Sequence, residues 1–344
     1  MVPFINEQVA ANQQVIERRQ WQTRPERMSR FTFDTATVMG HLREHIVGQD
    51  HVLAAMENML QVLKADIGAE DRPLAVHLFV GPTGVGKTET VRLLAEAIHG
   101  SADGVCRIDM GTLAQEHYAA SLTGAPPGYV GSKEGQTLFD VAAIQGSFGK
   151  PGIVLFDELE KASPEVVRTL LNVLERGTLR LSAGNRVIDF RNSLIFMTSN
   201  VGASRIARLR QQQTRWWHFG RHNPQIGQVV DQALQRQFDP EFLNRIDAIL
   251  SFNPLDQNLA GELLDIELAR LRKKLQKRQV LLSLGDGARR HLCRPLDARY
   301  GAREMARRVR GELLPPLARV MLDYPDADAF EARMEGGTLM VIPV

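Results

Sequence analysis

Residues 81–88 read Gly-Pro-Thr-Gly-Val-Gly-Lys-Thr, a complete G-x-x-x-x-G-K-[S/T]. That pattern constrains what surrounds it. A short apolar run, Ala75–Val80, precedes it and reads as a strand. Val91, Leu94, Ala95 and Ile98 follow on one face of a helix predicted over Thr88–His99. Strand, glycine turn and helix in that order predict a phosphate cradle at the edge of a parallel sheet. Gly81, Pro82, Thr83, Gly84, Val85 and Gly86 would wrap a phosphate with their backbone. Lys87 would reach the β- and γ-phosphates, and the Thr88 hydroxyl would ligate Mg²⁺.

Further apolar runs follow at Val105–Ile108, Ile153–Phe156, Leu194–Met197 and Ala248–Phe252, separated by helical or polar segments. Runs buried on both faces and alternating with helices predict a parallel α/β sheet. Upstream, Asp34 or Thr35 can cap a helix running toward His45. After Gly48, the positions Val52, Met56, Met59, Leu60, Leu63 and Ile67 form one face of a second helix, ended by Gly68 and Pro73. Past Pro254, Leu255–Lys277 and Gly301–Leu322 read as long charged helices. Phe330–Val344 reads as a hairpin turning at Gly336–Gly337. The expected organisation is a polar leader (1–33), a large α/β domain (34–254) and a small α+β domain (255–344). A length of 344 residues suits two such bodies.

Composition narrows the function classes. A formal charge of +2 gives no bulk reason to expect nucleic acid or a membrane surface. No apolar stretch approaches the ~20 residues of a bilayer span, and the N-terminus lacks the pattern of a signal peptide. Cys106 and Cys293 form no metal-ligand pattern and read as reduced core thiols of a cytoplasmic protein.

Asp157 and Glu158 end the apolar run Ile153–Phe156. Acids at the carboxyl end of such a strand lie where ligands bind. Asp157 is placed to hold Mg²⁺ with Thr88, and Glu158 to activate an attacking water, so ATP hydrolysis is expected. Ser163 is expected to cap the next helix, with Pro164 at its first position.

Seven motifs in order carry a resemblance: GPTGVGKT, GAPPGYVG (124–131), LFDELEKA (155–162), DFRN (189–192), TSN (198–200), PEFLNRID (240–247) and YGAR (300–303). Together they resemble the second ATPase module of the Clp-type AAA+ unfoldases, with ClpB and ClpA the nearest types. The resemblance covers residues 40–344. It implies an AAA+ P-loop large domain with a five-stranded parallel sheet, a small C-terminal lid domain, and ATP with Mg²⁺ as ligands. It also assigns roles. Ile46-Val47-Gly48-Gln49 looks like the adenine-facing segment, with Val47 and Gly48 as binding residues. Asn200 matches the sensor of the lytic water, Arg245 the arginine finger offered to a neighbouring subunit, and Arg303 the second sensor. Tyr129 and Val130 match the pore loop that grips a polypeptide, and 181–186 a secondary pore loop.

The implied partners are other copies of the chain in a ring, with a hexamer as the family expectation, and a polypeptide substrate. The chain carries one ATPase module. Gly-Ala-Arg is followed by Glu304 in place of proline, a mild change at a helix start. Phe219-Gly220-Arg221 puts arginine where a peptidase-docking tripeptide is apolar, so peptidase docking is not expected. The stretch 201–230 holds five arginines and Trp216-Trp217 without an acid before Asp231. It supports an alternative reading as a remodeller of nucleic acid or of a dedicated machine. The Gly-Tyr-Val-Gly loop weighs against nucleic acid. An adaptor could engage 1–33 or 201–230.

Overall fold

The computed structural model describes residues 29–114, 138–181, 187–203, 224–297 and 300–344. The leader as far as residue 28, Tyr129 and Val130, most of the secondary pore loop and the Trp216-Trp217 stretch lie outside the described residues. The chain divides into two compact units. One holds most of 1–252. The other holds 253–344 with two short inserts, 44–49 and 82–86.

The first unit is a sheet wrapped by helices. Its elements are α1 (Thr35–His45), α2 (Asp50–Ala65), β1 (Ala75–Val80), α3 (Lys87–His99), β2 (Cys106–Asp109), α4 (Val141–Gln145), β3 (Gly152–Asp157), α5 (Pro164–Arg176), β4 (Thr178–Arg180), β5 (Val187–Asp189), β6 (Ser193–Ser199), α6 (Pro224–Gln237), α7 (Pro240–Leu243) and β7 (Ala248–Ser251). Five strands lie in the order β2-β3-β6-β1-β7, every pair parallel. The three central strands, β1, β3 and β6, are buried at every position, which is why they read as unbroken apolar runs. At the edge, β2 alternates: Cys106 and Ile108 turn inward, Arg107 and Asp109 outward.

Local details depart from the sequence expectations. α2 stops at Ala65, because Asp66 adopts a left-handed conformation (φ 54°). Ile67 therefore leaves the apolar face and is 74% exposed. Asp34 does cap α1, its carboxylate accepting from the Thr37 N–H at 2.8 Å. Ser163 stands at the N-cap of α5 with Pro164 in the first turn, but its hydroxyl makes no capping bond. Its carbonyl instead accepts from Val167 N–H at 3.1 Å. The two-stranded ribbon β4–β5, not anticipated, brackets residues 181–186. Cys106 is a free, buried thiol whose pKa burial pushes up to about 11. Cys293 is also free but only half-buried, so it is not a core residue in the same sense.

In the second unit, α8 (Ala260–Gln276), β8 (Leu281–Leu284), α9 (Asp286–Leu292), α10 (Ala302–Arg308), α11 (Leu314–Asp323), β9 (Ala329–Glu335) and β10 (Thr338–Pro343) share one core. The predicted hairpin is β9–β10, its two-residue turn made by Gly336 (φ 55°) and Gly337 (φ 83°). Positive φ at both turn residues is what a tight hairpin requires. β8 adds a parallel third strand that the sequence reading missed. The helix expected over Gly301–Leu322 is broken by a π-helical turn, Val309–Leu313, ahead of Pro315 and Pro316. Proline lacks the N–H for an i→i−4 bond and crowds the carbonyl there, so the helix widens to pass it. Likewise α8 begins at Ala260, after a single turn at Gln257–Leu259 that Asp256 caps.

Candidate active site

Four of the sequence-predicted groups meet where β3 and β6 end and α3 begins. Lys87 opens α3 and is buried. Its ammonium donates to the Gly81 carbonyl at 2.6 Å and to Asn200 Oδ1 at 2.9 Å. The Thr88 hydroxyl donates to the Asp157 carboxylate at 3.0 Å. Asp157, the last residue of β3, is 6% exposed and also accepts from Thr198 Oγ1 at 2.5 Å and Arg107 Nη2 at 2.6 Å. Neither Thr198 nor Arg107 was assigned from the sequence. The signal available was an arginine inside an otherwise apolar strand, and a threonine two residues before Asn200.

Glu158 follows in the left-handed region, at φ 60° and ψ 52°. A non-glycine residue there costs of order 1–3 kcal/mol and persists only where neighbours enforce it. Here its N–H donates to Thr198 Oγ1 at 2.9 Å, and its carbonyl accepts from Lys161 N–H at 2.9 Å. Thr198 thus holds both acids: it donates to one side chain and accepts from the other's backbone. The Glu158 carboxylate is ion-paired with Lys161, whose pKa that contact raises.

The glycine turn has the geometry of a cradle. Gly81, Gly84 and Gly86 have φ of 145°, 78° and 106°. A Cβ on Gly84 would lie 2.2 Å from the Tyr300 carbonyl oxygen, so the turn tolerates no side chain there. The Gly84 carbonyl accepts from Ala302 N–H at 2.9 Å, within the second unit. That unit also holds residues 46–49, the segment expected to face adenine. Val47 packs on its core, and the buried Gln49 side chain exchanges two hydrogen bonds with the Asn253 backbone, at 2.9 and 2.7 Å. Arg303 is exposed in the first turn of α10. Its neighbour Glu304, in the first turn of the same helix, is 6% exposed and ion-paired to Arg308.

Arg245 lies apart from this cluster, after α7. Its guanidinium pairs with Glu175 of α5 at 2.7 Å. Its loop is pinned by Asp247, which accepts from Arg72 at 2.7 Å and from Val76 N–H at 2.8 Å.

The donor set suits a hard divalent cation. A hydroxyl and a carboxylate, both oxygen, already lie in contact at Thr88 and Asp157, which is the chemistry that Mg²⁺ takes. Among the described residues no helix is long and apolar enough to cross a membrane.

Comparison with known proteins places these features. The profile of the AAA domain (Cdc48 subfamily) matches residues 72–249, and that of the C-terminal, D2-small domain of ClpB protein matches 255–329. An ATP-dependent protease ATP-binding subunit-like protein, AmiB, of Pseudomonas aeruginosa is 50% identical over 303 residues, covering 86% of this chain and 82% of its own. A similarly described protein of Rhodococcus erythropolis is 43% identical over 319 residues, covering 90% of each. Chaperone protein ClpB of Gloeobacter violaceus is 37% identical over 297 residues, covering 86% of this chain but 33% of its own. Proteins of this type bind ATP and generally form rings. The chain belongs to the Clp-type AAA+ ATPases, and is related to the ClpB chaperones through a single ATPase module and its small domain.

Proposed function

We propose that the protein is a ring-forming motor that hydrolyses ATP to remodel, unfold or translocate polypeptide through a central pore. The observation that carries the hydrolytic part is the strained Glu158, held beside a buried Asp157 that already contacts Thr88. In this reading the backbone of 81–86 and Lys87 bind the phosphates, and Thr88 with Asp157 holds Mg²⁺. Bound Mg²⁺ supplies charge neutralisation on the phosphates. Glu158 takes the proton of the attacking water, Asn200 orients that water, and Val47 and Gly48 face the adenine. Arg303 reads the γ-phosphate as the second sensor. Arg245 completes a neighbour's site in trans, so turnover depends on assembly; a hexamer is the expected ring.

Tyr129 and Val130 grip the polypeptide. The motor works in the cytoplasm, without a peptidase partner. Relatedness to ClpB supports the polypeptide substrate, and an aromatic side chain offers sequence-tolerant contact.

The test is ATPase rate per subunit against protein concentration, with particle mass measured on the same samples. A rate that rises together with a ring-sized species is expected. A monomer with full, concentration-independent turnover would sink catalysis in trans. For the pore, Tyr129→Ala should keep ATPase and lose unfolding of a tagged, stably folded substrate. Unfolding that continues unchanged means threading is the wrong mechanism.

A further inference from the structure

Glu160 lies two residues beyond Glu158, in the short turn Leu159–Lys161. No motif role falls on it, yet it touches the site. Its Oε1 accepts from the backbone N–H of Asn200 at 3.1 Å and from the Asn200 side-chain Nδ2 at 3.0 Å. Its Oε2 is buried with no hydrogen-bond partner. Its backbone carbonyl accepts from Gln237 at 3.4 Å, at the end of α6. A carboxylate buried on one side and spending its other oxygen on a single residue is costly unless that residue must be held.

What it holds is the sense of an amide. Asn200 can present either its carbonyl or its NH₂ in a given direction, and the two ends differ little in size. An ionised carboxylate accepts and cannot donate, so Glu160 admits only the NH₂ end. The carbonyl end is thereby turned onto Lys87, where Oδ1 accepts from Nζ at 2.9 Å. The result is a line from Glu160 through Asn200 to Lys87. With the amide reversed, an oxygen would face the carboxylate and an NH₂ would face the ammonium, two repulsive contacts in place of two attractive ones.

We infer that Glu160 is a positioning residue for hydrolysis: it sets the orientation of the Asn200 amide and acts on turnover only through it. The inference rests on the reading of Asn200 as the group that orients the lytic water.

The test uses two near-isosteric substitutions and one cycle, on the full chain. Glu160→Gln keeps an acceptor oxygen at the same reach. Glu160→Asp keeps the charge and withdraws it by one methylene. Turnover at saturating ATP should fall about 10–100-fold in Glu160→Asp, the range typical of outer-shell orienting groups. It should fall in Glu160→Gln too, though less, because a glutamine amide can donate as well as accept and no longer excludes the reversed Asn200 amide. The affinity for a fluorescent ADP analogue should stay within about twofold in both, since the phosphate-binding groups are intact. A residue that merely supports the fold would move affinity and turnover together. In combination with Asn200→Ala, Glu160→Asp should slow the enzyme no further than Asn200→Ala alone, because the two act as one unit.

If the two effects multiply, or if nucleotide affinity falls as far as turnover, Glu160 does not act through Asn200 and the inference is overturned. If Asn200→Ala turns over at the parent rate, the sensor reading itself has failed and takes the inference with it. A slow Asn200→Ala beside an unimpaired Glu160→Asp overturns the inference alone.

Discussion

Two buried polar clusters, one in each compact unit, look alike in composition and differ in how they are closed. In the C-terminal unit Arg308, 5% exposed, spends its guanidinium on Glu304 at 3.2 Å and on the carbonyls of Leu292, Arg294 and Pro295 at 3.0, 2.5 and 2.6 Å. Every partner is fixed backbone or a neighbour on its own helix. In the large unit, the buried Thr198 hydroxyl fixes Asp157 and the Glu158 backbone, but the charge partners of both acids are groups that can be exchanged. Arg107 on Asp157 has a side chain 58% exposed, and Lys161 on Glu158 one 52% exposed. Glu158 is also strained, whereas a carboxylate oxygen without a hydrogen-bond partner is common to both regions, on Glu160 and on Glu304. A buried charge closed by backbone organises a core. A buried charge closed by replaceable, solvent-reaching partners leaves room for a ligand to take their place.

The largest effect should come from the exchangeable cluster and should spare the fold. Glu158→Gln removes the base, and general-base catalysis is worth about 10²–10⁴ in rate. Turnover should fall by that factor while nucleotide binding persists and the melting temperature barely moves, measured by phosphate release, ADP-analogue binding and a thermal melt. A variant that instead loses stability and retains turnover would assign Glu158 to the structure, and the contrast between the clusters would collapse.

The closed cluster should behave in the opposite way. Arg308→Met strips the buried partner from Glu304, leaving the exposed Arg307 at 2.8 Å, and removes the donor to three carbonyls; breaking a buried pair costs about 3–5 kcal/mol. The C-terminal unit should unfold at markedly lower denaturant, followed by the near-ultraviolet signal and by proteolysis after 253. Replacing both members, Glu304→Leu with Arg308→Met, should recover part of that loss, since no lone buried charge remains. Equal loss in the single and double variants would mean that the carbonyl contacts, and not the charge pair, hold this region.

The sequence revealed the members of these clusters unevenly, for physical reasons. β1, β3 and β6 were legible because burial on both faces demands unbroken apolar runs, and the glycine turn was legible because its backbone tolerates little else. Asp157, Glu158, Lys87 and Thr88 stand next to those signals in the chain. Thr198 is different. Its place beside Asp157 follows from the register of β3 on β6, where Phe156 faces Met197, and register is a property of two strands together. Arg107 depends in the same way on the pairing of β2 with β3. Glu160 and Asn200 are joined across 40 residues, a distance that only the fold closes, whereas Glu304 and Arg308 stand at i,i+4 on one helix, a spacing present in the sequence. The short strand β8 and the π-turn were missed because four residues of alternation, or one proline pair inside a helical pattern, weigh little against longer periodic signals.

His77 offers the smallest and sharpest test, since it breaks the simple rule that an unsatisfied buried group marks a site. It lies in β1, 5% exposed, edge-on to Phe196 at 6.0 Å between centroids, with Nδ1 buried and unpartnered. Burial pushes its pKa down to about 4, against a smaller upward pull from the Asp247 carboxylate. The folded value lies below that of the unfolded chain, near 6.5. Above pH 6.5 both states are neutral and His77 adds no pH dependence. As pH falls through 6.5 toward 4, the unfolded chain takes up a proton that the fold refuses, so stability is lost on acidification. The loss is about 2 kcal/mol by pH 5. His77→Gln removes the titration. The gap in urea midpoint between parent and variant should therefore change across pH 7 to 5 in the direction that favours the variant at low pH. Parallel profiles would mean that the imidazole titrates in the fold as it does in the unfolded chain, so that burial does not exclude its charged form. The orphaned nitrogen would then have a partner after all, and His77 would no longer count as a buried group left unsatisfied.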